Sequence, residues 1–196
     1  MEKLKKQYEV IEDREGVSKL EKRIKEELGI TKVDFAELAN AEVASEMMDY
    51  VAELQNKYGE RFNAVIAQRS NGDSLDLAWV SRSRELYINS DCFNSREMME
   101  DTLVHLRKLK LLPQNEATIE FVARHEYAHL ISMQEVDNPR SRIHVLYNRA
   151  SQKGMLISLN SSADAYEFTA DALATKKQTK YTNEVKRIFT WSDVND

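Results

Sequence analysis

The sequence predicts a helix-rich α+β domain in which a small sheet packs against helices. Three observations lead there. Glycine and proline are scarce, 5 and 2 of 196 residues, which disfavours turn-dense all-β architectures and long flexible linkers. Apolar residues recur mostly at helical spacing, and the C-terminal half reads as helix. Three strand-like runs sit close together before the middle of the chain. An apolar content of 42% suits one domain with a buried core, since domains cluster at about 100–150 residues.

Taken in order, residues 1–30 read as a charged N-terminal helix or linker. Val17, Leu20, Ile24 and Leu28 form one thin apolar stripe on it, as expected of a helix at the domain edge. A second helix is predicted from Asn40, as N-cap, to Gly59 as stop, with Val43, Met47, Val51, Leu54 and Tyr58 on its core face. The strand-like runs are 62–69, 75–80 and 85–89. The first ends at the turn signal 70–73, and Ser81 to Arg84 reads as a hairpin loop between the other two. Asn94 is expected to cap a helix through a capping box with Glu97, burying Met98, Leu103, Leu106 and Leu109. Asn115 is expected to open the next helix. A variable stretch with Pro139 and Gly154 follows, then an alanine-rich helix over 163–177. Residues 31–180 therefore read as the functional domain and 181–196 as a C-terminal tail of ambiguous structure.

Composition excludes several functions. The chain holds 28 basic and 33 acidic residues, a net charge of −5, so no nucleic-acid partner is expected on electrostatic grounds. No apolar run approaches the ~20 residues of a membrane span. The N-terminus lacks the apolar core of a signal peptide, so the expected location is cytoplasmic. Cys92, the one cysteine, supports neither an internal disulfide nor a zinc–cysteine cluster.

The chemistry is carried by His125-Glu126-Tyr127-Ala128-His129, an HExxH motif inside a helical pattern. Two imidazoles four residues apart lie about 40° apart around a helix, one turn above each other. Both can therefore reach one metal ion, and the distances suit zinc. Glu126, offset by about 100°, flanks the ion and can take a proton from a metal-activated water and pass it to a leaving amine. The competing reading is a helix whose histidines are merely exposed or packed. The apolar flanks Val122, Ala123, Leu130 and Ile131 favour an active-site helix buried behind its metal face.

A zinc site of this kind needs a third protein ligand and leaves a position for water. Glu167 and Asp171 stand at i and i+4 on the alanine-rich helix. The first carboxylate can ligate. The second can accept a hydrogen bond from the far nitrogen of a ligating histidine, fixing its tautomer. The alternative is an ordinary amphipathic helix with two solvated acids. Asp164, three residues before Glu167, is the reserve ligand.

HEYAH followed by EFTAD resembles the gluzincin class of zinc metallopeptidases, in which ExxxD on a later helix completes HExxH. The form ExxAD is similar to that of the CAAX-processing peptidases, whose membrane spans this chain lacks. The paired runs 75–80 and 85–89 resemble the zincin upper sheet, whose edge strand pairs with extended substrate. VDFAEL, the following helix, its Tyr-Gly stop and the strand pair resemble metallopeptidase-like domains of phage minor head (MuF-type) proteins. The resemblance implies a zincin-like fold and one Zn2+ bound by His125, His129 and Glu167. Glu126 is then the general base and Asp171 the acid behind a histidine. It also implies a peptide or protein substrate, and a histidine or tyrosine that stabilises the oxyanion; His144, Tyr147 and Tyr166 are the candidates. The expected function is a zinc-dependent endopeptidase. The alternatives are a phage- or toxin-associated zincin-fold domain with little turnover, and a repressor-cleaving regulatory peptidase. The last carries ExxAN, and Asp171 replaces that asparagine.

Overall fold

The computed structural model describes residues 8–70 and 76–191. Among them the chain forms eight α-helices and a mixed four-stranded sheet, an α+β architecture. The turn expected at 70–73 falls largely outside the described residues.

The N-terminal stripe is core: α1 (Arg14–Glu27) is capped by Asp13 and buries Val17, Leu20 and Ile24. β1 (Lys32–Asp34) then leads through α2 (Glu42–Tyr58) to β2 (Ala64–Gln68), which pairs with β1 in parallel. Asn40 serves α2 from two residues before its start, its Oδ1 accepting from Glu42 N at 2.9 Å. Gly59 ends α2 in the left-handed region at φ 81°, as expected of a glycine stop.

β3 (Ala78–Val80) and β4 (Glu85–Asn89) form the expected hairpin, and β4 inserts beside β2. The strand order is β1-β2-β4-β3, so β3 is an edge strand. Val65, Ala67, Leu86, Ile88 and Ala78 face the core.

A short helix, α3 (Ser90–Phe93), precedes α4 (Arg96–Lys108). Asn94 does not cap α4. It closes α3, and its Oδ1 accepts from Ala39 N at 2.6 Å. Ser95 is the cap instead, and moving the start by one residue removes the capping box with Glu97. The buried face accordingly becomes Met99, Leu103 and Leu106, spaced i, i+4, i+7, while Leu109 is exposed.

α5 (Ile119–Asp137) begins four residues later than Asn115, because the extended Thr118 accepts from Phe121 N through its hydroxyl. It buries residues nearly all round and lies against both α2 and β3. Tyr127 donates from its hydroxyl to Glu60 O at 2.8 Å, pinning the back of α5. The stretch after Pro139 contains α6 (Arg142–Gln152), with Ile143, Leu146 and Ala150 buried. α7 (Ala165–Ala174) packs along α5, and α8 (Lys180–Ile188) returns Tyr181 and Val185 to the core. No helix among the described residues is long and apolar enough to cross a membrane.

Candidate metal centre

The site lies where α5 and α7 meet. Alanines at 123 and 128 on α5, and at 170, 172 and 174 on α7, are almost fully buried and add little bulk to the helices. His125 and His129 project from one face of α5, and Glu167 projects from α7 towards both. His125 Nε2 lies 3.0 Å from His129 Nε2 and 3.2 Å from a Glu167 oxygen; His129 Nε2 lies 3.5 Å from the other oxygen. Four-coordinate donors at about 2.0–2.1 Å from a common ion stand about 3.3–3.4 Å apart. The three observed separations bracket that spacing. Three side chains that would otherwise crowd lone pairs and N–H groups together are thus placed as a metal would require. This group could hold a metal ion.

Burial and hydrogen bonding act in opposite directions on these groups. Burial opposes charge on His125, yet hydrogen bonds to Asp171 and Glu167 outweigh it and hold its pKa well above the ordinary imidazole value. Burial likewise opposes ionisation of Glu167, but its bonds to the two histidines dominate and its pKa is lowered.

Asp171 is buried on the far side of His125, and its Oδ1 accepts from Nδ1 at 2.9 Å. That bond directs the Nε2 of His125 at the other two donors. Glu126 is 5% exposed, and its Oε2 is buried without a hydrogen-bond partner. Burial raises its pKa. An unpaired buried carboxylate oxygen is costly, and such orphans are uncommon outside sites that use them.

A cleft of about 450 Å³ opens over these residues. Its floor is α5, from Phe121 to Met133, and one wall is β3. Leu106, Leu111, Leu112 and Val122 give it apolar lining, and Arg82 and Tyr166 line it as well.

The reserve and oxyanion candidates separate clearly. Asp164 is the N-cap of α7, its carboxylate accepting from Tyr166 N and Glu167 N, which turns it from the cluster. His144 bonds the carbonyl of Val136 through Nε2, and Tyr147 donates to the carbonyl of Ser162. Neither lines the cleft. Tyr166 does, and its hydroxyl is buried without a hydrogen-bond partner. Two contributors were missed by sequence reasoning: Ser158, bonded to Asp171, and Asn160, bonded to Glu167. They sit in a Ser/Asn-rich loop whose composition signals only a turn.

Comparisons with protein families, with curated proteins and with solved structures returned no significant match.

Proposed function

We propose that the chain is a zinc-dependent endopeptidase. The observation that carries this is the convergence of His125, His129 and Glu167 beside a buried, unpaired Glu126, at the floor of a cleft walled by an edge strand. Two imidazoles and one carboxylate match the donor preference of zinc better than that of calcium or magnesium, which take oxygen. A bound zinc ion supplies Lewis acidity for the scissile carbonyl and for the attacking water.

The remaining work belongs to the chain. Glu126 accepts the water's proton and returns it to the leaving amine; burial raises its pKa and so strengthens it as a base. The Tyr166 hydroxyl is available to donate to the carbonyl oxygen as negative charge develops there. β3 orients the substrate. Asn89 N donates to Leu77 O, and Ser81 N donates to Glu85 O, so residues 77 and 81 face β4. By alternation Ala78 and Val80 turn their backbone groups to the open edge, where an extended peptide can pair. From Phe121 to Met133 the floor measures about 18 Å, room for about five extended residues. The apolar lining favours a substrate with a large apolar side chain.

Zinc-loaded protein should therefore cut library peptides that carry large apolar residues. Cleavage should stop on chelation and return with zinc. No cleavage by fully loaded protein would leave the fold as a metal-stabilised binding or structural domain.

Asp171→Asn offers a graded test. Asparagine keeps the shape but orients the imidazole less strongly, so zinc affinity or turnover should fall about 10–100-fold with the fold intact. Unchanged zinc affinity, measured by competition with a chromophoric chelator, would remove Asp171 from the site.

A further inference from the structure

Two carboxylates of the candidate metal centre, the ligand candidate Glu167 and Asp171 behind His125, are gripped by one short loop. Ser158 Oγ donates to Asp171 Oδ2 at 2.5 Å, while Asp171 Oδ1 holds His125. Two residues on, Asn160 Nδ2 donates to Glu167 Oε2. The loop is itself braced. Ser161 is fully buried, and its Oγ accepts from Ile157 N at 3.1 Å and Ser158 N at 2.9 Å while donating to Ser158 O at 2.8 Å. Ser161 N in turn donates to Ser158 Oγ at 3.1 Å. Leu159 N donates to Lys110 O at 2.7 Å, tying the loop to the chain after α4.

This arrangement is more than a turn satisfying itself. Ser158 and Asn160 each send a donor outward, to a different carboxylate of α7. A carboxylate accepts at two oxygens, and a donor fixed on one restricts rotation of the other. Asp171, held at both oxygens, has a single orientation in which to hold Nδ1 of His125. Glu167 is likewise held at one oxygen while facing both histidines. Asn160 also lines the cleft, so its amide sits at the site and not behind it.

We infer that the loop over residues 157–162 is a metal-positioning element, with Ser158 acting through Asp171 on His125 and Asn160 acting on Glu167. This rests on the metal-site reading and assigns the loop a role within it. Ser158 and Asn160 are positioning residues, and their loss should loosen ligand geometry while the helices stay folded.

The test uses the full chain, stripped by chelator and titrated with Co2+ and with Zn2+. Visible Co2+ absorption reports ligand geometry, and chelator competition gives the affinity. Ser158→Ala and Asn160→Ala should each bind about 10–100-fold more weakly than the parent, with an altered Co2+ spectrum. The metal-free variants should keep the parent's helical content and a cooperative unfolding transition, with a modestly lower midpoint because hydrogen bonds to Asp171 and Glu167 are lost. Ser158→Thr, which keeps the hydroxyl, should restore both readouts. Parental affinity and spectrum in both alanine variants would overturn the inference and leave the metal site standing. A fall in metal-free unfolding temperature with unchanged metal affinity would overturn it too, as a purely structural role. A parent that binds neither ion would overturn the metal-site reading itself, and the inference with it.

Discussion

Glu126→Gln should fold, bind zinc as the parent does, and lose about 10²–10⁴-fold in turnover, the usual contribution of a positioned acid–base group. Glutamine has nearly the same shape but accepts no proton at the carboxylate position. On the proposed mechanism the effect should fall on kcat with KM little changed, because Glu126 would act when the water attacks and not when peptide docks along β3. Its position supports this assignment. The side chain lines the cleft, yet it is not one of the three converging donors. The substitution also relieves a buried carboxylate with an unpaired oxygen, so the variant should be at least as stable as the parent. Stopped-assay kinetics on a cleaved peptide, with metal content measured on the same sample, check it. Equal turnover would take Glu126 out of the mechanism.

The second large effect is on metal itself. His125→Ala/His129→Ala removes two of three ligands and leaves Glu167, a lone carboxylate too weak to retain zinc. The parent should gain stability with added zinc, about 2.7 kcal/mol at a hundredfold excess over Kd. The double variant should show no such gain. Thermal unfolding with and without zinc distinguishes them, and full zinc retention by the double variant would show that the ion binds elsewhere.

Much of this candidate site is legible in the sequence. On a helix HExxH puts both histidines on one face, because four residues return the chain to nearly the same side. The same rule aligned Glu167 with Asp171 on α7. That those two helices meet could be argued only from the alanines, which permit close approach without requiring it. The elements that escaped are short or weakly patterned. β1 is three residues with charged ends, too short to show alternation. α6 follows Pro139 in a polar stretch, and its face of Ile143, Leu146 and Ala150 emerges only once Ser141 is seen as its cap. Cap positions misled three times: Asn40 stands one residue before Ala41, where α2 is capped. Asn94 and Asn115 both look like helix starts, yet Ser95 and Thr118 hold the extended backbone that a cap needs. The same chemistry set aside Asp164, a reserve ligand by spacing that is spent on the first turn of α7. Ser158 and Asn160 carried no periodicity at all. Their importance comes from where a loop is folded, which local composition does not encode.

We propose that a single zinc ion is held by His125, His129 and Glu167. Crystals of the zinc-loaded protein, with anomalous data collected on both sides of the zinc absorption edge, test it most directly. One anomalous peak should appear between the three side chains, about 2.0–2.1 Å from each histidine nitrogen. It should vanish below the edge, and Asp171 should remain bonded to His125 Nδ1. A featureless map at these residues in saturating zinc, or a peak bound by other side chains, would contradict the account.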